Sequence, residues 1–420
     1  FTDANNGFVV GSSYPSGSAA ILRTTNGGAT WTSQSSVEWQ DLYAVAFTDS
    51  CTGIAVGGFN IGHNMGTTTS GCILRTTNAG VTWSYQKSGL FESLKAVKFT
   101  DPDNGWAVGF GFAEGIKGPS LSTNVILHTS DGGSNWEVQK ADTAERGFVN
   151  MYTSLCFTNS TTGTVVGDSG TILHTTDGGA SWTKQLSGTI SFLRFVCFKD
   201  ENVGLVFGLT TDSSEFPIGP FVLRTTNGGL TWLRQSLDAV VESACFSDTN
   251  TCTAVGHVPD SIGYPHGTIL RTTNCGESWV VQASGLGYSL SSVSFTDAKN
   301  GTAVGGTLDS GVIFRTTTGG TTWIENNKVL ETPHEFSIKQ NYPNPYNNGT
   351  IISYQLTTQA HVTLKVFDVL GREVATLMNN MEEAGYKSVS FDASTLPSGV
   401  YFYRMQAGSF VQTNKMLLMK

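Results

Sequence analysis

The sequence predicts an all-β chain, a seven-bladed β-propeller followed by a small Ig-like β-sandwich, and three observations lead there. Seven segments each end on a tryptophan, Trp31, Trp83, Trp136, Trp182, Trp232, Trp279 and Trp323, spaced 44 to 53 residues apart. Glycine fills 49 of 420 positions and charged residues only 14%, the balance of a turn-rich β protein. Beyond Trp323 the repeat stops and a differently patterned stretch runs to the end. A chain this long exceeds what one hydrophobic core serves unless the architecture is a repeat, which favours a large domain and a smaller one.

Each segment has the same interior. An apolar strand ends in Phe, a polar turn follows, a second strand ends in Gly, a variable loop intervenes, and then come Ile-Leu-Arg-Thr-Thr, a glycine turn and Thr-Trp. In the fourth copy the pieces are Ser154-Leu-Cys-Phe157, Gly163-Thr-Val-Val-Gly167, Thr171-Ile-Leu-His-Thr-Thr176 and Ser181-Trp182. They alternate at period two and are separated by Gly, Asn, Asp and Ser, which reads as short antiparallel strands, four to a repeat. One such sheet cannot bury both faces, whereas seven arranged radially cover one another. The first copy begins at Phe1, aligned with Phe47, Phe99, Phe157, Phe198, Phe246 and Phe295. Its innermost strand is therefore missing, and residues such as Lys328 to Glu331 are expected to supply it and latch the ring. No export signal precedes Phe1, so any signal has been removed or lies outside this sequence.

The turn before each tryptophan, Thr24-x-Asn26-x-Gly28-x-Thr30-Trp31 in the first copy, resembles the Asp-box, or BNR, repeat S/T-x-D-x-G-x-T-W. Asp131 and Asp177 supply true aspartates, Asn26, Asn78, Asn227 and Asn274 replace them elsewhere, and Thr318 departs most. An Asx side chain accepts backbone N–H bonds, Gly permits positive φ and Trp packs under the turn, so these positions are read as structural. The resemblance extends to sialidases and to photosystem II assembly propellers.

After a polar connection over 329–337, residues 338–420 form the second domain, leaving 1–328 to the propeller. This tail resembles the type A sorting domain of type IX secretion in Asn341-Tyr-Pro-Asn-Pro-Tyr346, Val366-Phe-Asp-Val-Leu-Gly-Arg-Glu373, Leu396-Pro-Ser-Gly-Val-Tyr-Phe-Tyr403 and a lysine-bounded end from Lys415. Asn341, Pro343, Pro345, Gly371, Gly399, Tyr401 and Lys415 carry the motif. Alternation at Val362, Leu364 and Val366 and again at Val400 and Phe402 independently predicts a β-sandwich. The resemblance implies the type IX machinery as a partner, export across the outer membrane and a secreted, cell-surface location.

A net charge of -9 argues against nucleic acid, whose binding needs clustered Lys and Arg. No apolar run approaches the roughly 20 residues that span a bilayer. The seven cysteines show no zinc spacing. Cys156, Cys197 and Cys245 each precede a strand-ending Phe and read as buried thiols; Cys245 and Cys252 flank one hairpin, close enough in sequence to be bridged.

Several motifs have a bland reading that outweighs the chemical one. Gly167-Asp168-Ser169-Gly170 matches a serine-protease nucleophile sequence, yet it joins two strands of one blade and lacks the following Gly-Pro, so a tight turn is expected. Asp101-Pro-Asp-Asn-Gly105 has the composition of a calcium loop and is read as a turn. The recurring Arg23, Arg75, Arg224, Arg271 and Arg315, replaced by His128 and His174, form either a cationic ring for an acidic peptide or inter-blade hydrogen bonds, with the second favoured. No metal motif occurs, and no cofactor is expected.

Because strands alternate direction, Asp-box turns occupy one face and variable loops the other. The loops carry Trp39, Phe59, His63, Phe110, Phe112, Phe216, Tyr264 and His266, the candidate ligand contacts. The leading reading is a non-enzymatic surface binding or adhesion protein for a glycan or peptide. One alternative is a self-associating subunit of an extracellular filament or coat; the other is a glycosidase, with Asp168, Asp212, Glu215 and Asp260 as loop acids and no sign that two converge.

Overall fold

The computed structural model describes residues 1–13, 18–34, 41–58, 71–86, 93–111, 123–143, 151–210, 219–259, 265–307, 311–329, 336–341, 344–347, 349–382 and 385–419. Every element in them is a β-strand. The strands fall into two compact units, Phe1–Val329 and Leu330–Lys420.

In the first unit, six successive blades each contain four antiparallel strands in chain order from inside to outside. The second and third share one continuous sheet through a single Gly58–Ser93 pairing. The inner strands are Asp41–Phe47, Ser93–Phe99, Tyr152–Phe157, Phe192–Phe198, Val240–Phe246 and Ser289–Phe295, and each of the first five packs against the one that follows it. The first blade has three strands, Gly7–Ser13, Ser18–Thr24 and Thr32–Ser33.

The described part of the expected latch is not an inner strand. Lys328 lies in the strand Ile324–Val329, which pairs with Gly311–Thr316 and completes the seventh blade, with Lys328 opposite Val312. Leu330 and Glu331 lie outside the described residues. A segment leaving the Asp-box turn is already hairpinned to the adjacent free edge, so local pairing wins over the costlier closure onto a distant blade.

Among the described residues, side chains tie neighbouring blades together. Arg75 Nε donates to the Gly132 carbonyl of the next blade at 3.1 Å, and Arg224 Nε to that of Cys275 at 2.8 Å. Where His128 and His174 replace the arginine, Gln139 and Gln185 on the outermost strand take over, their Nε2 atoms donating to Gly178 at 3.0 Å and Gly228 at 2.9 Å. In the seventh blade Arg315 reaches the first, where a methyl group added at Gly27 would lie 3.3 Å from its Nη2. Two of the recurring arginines, Arg75 and Arg224, are therefore inter-blade fasteners.

A second repeated device fills the space between strands. The glycine that opens the second strand lies beneath the Phe that ends the first, so closely that a Cβ on Gly53 would stand 2.7 Å from the Phe47 ring and one on Gly204 would stand 2.4 Å from Phe198. The Phe in turn meets the blade's tryptophan edge to face, with Phe99–Trp136 centroids 6.1 Å apart and Phe157–Trp182 6.0 Å, the geometry aromatic quadrupoles prefer.

The second unit is a β-sandwich. Ser337–Ile338, Gly349–Leu356 and Gly385–Asp392 form one antiparallel sheet, and Glu373–Glu382, Ala360–Phe367, Gly399–Ala407 and Phe410–Leu418 form the other. Alternate residues of both, including Ile352, Tyr354, Val362, Leu364, Val366, Tyr403 and Met405, bury into a shared core.

Candidate binding site at the propeller mouth

The two faces of the propeller differ in what their polar groups do. On one face each Asp-box turn satisfies itself. Thr175 Oγ1 accepts the Gly179 N–H at 2.9 Å and donates to Asp177 Oδ1 at 2.7 Å, while Asp177 accepts the Ser181 N–H at 2.9 Å. The Ser181 hydroxyl and N–H, followed by Thr175, hold the Asp177 carboxyl down at about 2. The same bonds recur around Asn26, Asn78, Asp131, Asn227 and Asn274. Thr318 does the work with a hydroxyl, accepting the Thr322 N–H at 3.0 Å. The neighbouring turns are equally self-contained: Asp101 Oδ1 accepts the N–H groups of Asp103 at 3.0 Å and Asn104 at 2.8 Å. No group of three metal-ligating side chains occurs among the described residues.

On the opposite face the inner strands all break register at one place. The pairing slips between Leu42 and Ala44, Leu94 and Ala96, Tyr152 and Ser154, Leu193 and Phe195, Val241 and Ser243, and Leu290 and Ser292. The skipped residue is a β-bulge that re-aims its side chain, and it lies near the start of the strand, away from the Asp-box turns. Tyr43, Lys95, Thr153, Arg194, Glu242 and Ser291 therefore stand at equivalent positions on six consecutive blades, around the mouth of the propeller axis.

Neighbours in this set touch. Lys95 Nζ sits 3.7 Å from the centroid of the Tyr43 ring and 5.7 Å from that of Phe110. Thr153 Oγ1 donates to the Leu193 carbonyl at 2.7 Å. Arg194 Nη2 reaches both Glu242 oxygens, at 2.6 and 2.7 Å, and His257 Nδ1 lies 3.6 Å from the same carboxylate. Burial pushes the Lys95 ammonium below its usual range, with Asp41 opposing, and burial followed by the Asp41 charge lifts the Tyr43 phenol. The mouth thus offers an aromatic–cation platform, an ion pair and hydroxyls. Its one bulge carboxylate, Glu242, is held by Arg194.

The remaining motif on this face is a turn, as expected. Thr171 N–H donates to the Asp168 carbonyl at 3.1 Å while Ser169 and Gly170 take φ of 53° and 63°, the left-handed pair of a type I′ hairpin. Burial raises the Asp168 carboxyl to about 6, opposed by the Met151 N–H.

Of the aromatic and histidine contacts expected from sequence, Phe110 and His266 fall in described strands, Gly105–Gly111 and Pro265–Thr272. Trp39, Phe59, His63, Phe112, Phe216 and Tyr264 lie outside the described residues, as do Asp212, Glu215 and Asp260. The bulge residues were missed by reading for strict alternation. Their signal is two residues, not one, between the apolar positions Leu42 and Val45 or Leu94 and Val97.

The bridge expected between Cys245 and Cys252 is contradicted. Cys245 pairs with Thr253 and Cys252 with Phe246, so the two cysteines occupy successive register positions and point to opposite faces of the sheet. Cys245 packs toward the seventh blade and Cys252 toward the fifth.

In the second unit Asn341 is buried, its N–H donating to Tyr403 Oη at 2.8 Å and its Nδ2 to Thr350 Oγ1 at 2.9 Å. Gly371, at φ 77°, closes the turn from Asp368 to Arg372. Tyr401 Oη donates to the Pro397 carbonyl at 2.9 Å, and the Lys415 carbonyl accepts Gln340 Nε2 at 2.7 Å. Gly399 opens its strand opposite Leu418, and Pro345 follows Asn344 through a cis peptide bond. Pro343 lies outside the described residues.

Fold and turns together define a seven-bladed Asp-box β-propeller. Residues 76–191 match the family model of the photosynthesis system II assembly factor YCF48, and residues 340–419 match that of the secretion system C-terminal sorting domain. The chain is accordingly a secreted protein of the outer cell surface, a BNR-type propeller carrying a type IX secretion sorting domain. No curated protein matches it. Among solved structures it is similar to YCF48 bound to D1 peptide, with 15% identity, TM-score 0.47, and coverage of 76% of this chain and 89% of that one. YCF48 from Cyanidioschyzon merolae gives 16%, 0.45, 84% and 95%. PorZ, a surface component of the type-IX secretion system of Porphyromonas gingivalis, gives 11%, 0.39, 98% and 65%.

Proposed function

We propose that this chain is a non-enzymatic binding or adhesion module, displayed on the cell surface, that recognises a surface glycan or peptide over the loop-bearing face of its propeller. The observation that carries this reading is the contrast between the faces. Asp-box turns spend their polar groups on their own backbone, whereas six successive bulges present Tyr43, Lys95, Thr153, Arg194, Glu242 and Ser291 together at the mouth. A rigid β scaffold beneath variable loops suits recognition, and an exposed tyrosine backed by a cation suits stacking against a sugar or side chain.

The test is binding of the full chain to glycan and peptide arrays and to surface fractions of whole cells. The Tyr43→Ala/Lys95→Ala variant is expected to bind at least tenfold more weakly, while Thr183→Val, on an outer strand, binds as the parent does. Unchanged binding by the mouth variant would overturn the site. Ordered polymers in electron micrographs of the cell-surface fraction, without ligand binding, would favour a structural subunit instead; turnover of an oligosaccharide would favour a glycosidase.

A further inference from the structure

The turn from Asp368 to Arg372 in the second unit reuses a device of the propeller and changes what it carries. In each of the seven blades an Asp or Asn opens the turn that leads into the second strand, and its Oδ1 accepts backbone N–H groups two and three residues further on. Asp297, for example, accepts from Lys299 at 2.7 Å and Asn300 at 2.9 Å. The two residues at the tip of these turns never include Val, Leu, Ile, Met or an aromatic; Ala4-Asn5, Pro102-Asp103 and Ala298-Lys299 are typical. Such a tip points into water, and polar or small side chains suit it.

In the second unit the same anchor holds a different tip. Asp368 Oδ1 accepts the N–H groups of Leu370 and Arg372, both at 2.9 Å, and the Asp368 carbonyl accepts the Gly371 N–H at 3.0 Å. Arg372 Nε donates to Asp368 Oδ2 at 2.7 Å. The turn so fixed carries Val369 and Leu370, which are 66% and 74% exposed. The charges beside them are paired off, Asp368 with Arg372 and Lys365 Nζ with Glu373 Oε2 at 2.8 Å. Two adjacent aliphatic side chains left mostly in water add little to folding, and exposed apolar surface of this kind marks a contact with another molecule.

The neighbouring edge strand is blunted as an alternative contact. Glu373–Glu382 lies at the edge of its sheet, but its pairing with Ala360–Phe367 skips Val374 and Leu377, two bulges whose side chains pack on the core. Bulges twist an edge away from strand addition. We propose that the Val369–Leu370 tip is the knob by which this sorting domain docks into an apolar pocket of the type IX secretion machinery. Residues 340–419 are the part of the chain that matches the sorting domain, so the occupant is the export apparatus rather than a ligand of the propeller. The turn is already fixed by its own hydrogen bonds, so docking costs little ordering entropy. Its charges are paired, so the complementary surface is apolar rather than charged.

The experiment expresses the full chain, behind an inner-membrane export signal, in a bacterium with a type IX system and measures how it divides between the periplasm and the cell surface or medium. Val369→Ser/Leu370→Ser is expected to lower the exported fraction about tenfold, the loss that goes with removing one apolar anchor, while the protein accumulates in the periplasm. Because both side chains lie mostly in water, the tail of the purified variant is expected to resist limited proteolysis as the parent's does. Val369→Ile/Leu370→Met keeps an apolar tip and is expected to be exported like the parent. So is Val411→Ser, which removes an aliphatic side chain, 54% exposed, elsewhere in the same unit. Parental export of the double serine variant, an equal loss in Val411→Ser, or faster cleavage of the double serine variant's tail would overturn the proposal.

Discussion

Replacing Thr175 by valine tests what holds an Asp-box turn. Thr175 is buried, at 2% exposed, and its hydroxyl serves two groups, accepting the buried Gly179 N–H at 2.9 Å and donating to Asp177 Oδ1 at 2.7 Å. Valine keeps the outline but leaves that N–H without its partner. A stranded buried donor costs about 1–3 kcal/mol and the lost hydroxyl bond roughly 0.5–1.5 more, so a destabilisation of about 2–4 kcal/mol is expected. All nine tryptophans precede residue 330, so fluorescence during urea unfolding reports the propeller alone. The midpoint should fall with little change in slope. Thr183→Val is the control, since its exposed hydroxyl only donates to the His174 carbonyl at 3.1 Å; it should stay within about 0.5 kcal/mol of the parent. If Thr175→Val unfolds at the same urea concentration as Thr183→Val, the turn is held by something other than this hydroxyl.

Other perturbations follow from the same geometry. Burial raises the half-buried Asp168 carboxyl to about 6, above its unfolded value near 3.8, so its stabilising contribution is full below about pH 4 and is lost as pH rises through 6. Asp168→Asn should melt like the parent at pH 4 and roughly 1–2 °C higher at pH 7, a difference on the order of 1 kcal/mol after allowing for solvent screening; a gap independent of pH would refute this. Gly204→Ala drives a methyl to 2.4 Å from the Phe198 ring and should cost about 1–3 kcal/mol by overpacking, read from urea unfolding. Asn341→Ala removes the Thr350 partner from a buried site and should cost about 1–2 kcal/mol, measured as faster limited proteolysis of the tail with propeller fluorescence unchanged.

Much of the architecture was legible because its causes are local. A Trp at each blade end, an Asx or Thr closing the turn before it, and a Gly beneath the Phe of six blades are neighbours in sequence or across one hairpin, so each copy states its own fold. The sorting domain was legible for the same reason, as Asn341, Gly371 and Tyr401 mark turns and short-range bonds. The site was less so. Most of the loop aromatics chosen from sequence fall outside the described residues, and the mouth residues carry only a shifted apolar spacing, Leu42 to Val45, as their trace.

By itself, then, the sequence determined the number of blades, the turn chemistry, the second domain and its export role. The tertiary structure decided which residues meet across blades. Gln139 and Gln185 donate to the carbonyls of Gly178 and Gly228 in the next blade where histidine stands in place of the arginine. Lys328 stays with its own blade because an adjacent free edge is cheaper to pair than a distant one. Cys252 packs toward the fifth blade and Cys245 toward the seventh because successive strand residues point to opposite faces. The first and third outcomes depend on the packing of one sheet against the next, a relation between segments some 40 to 60 residues apart that no local pattern encodes.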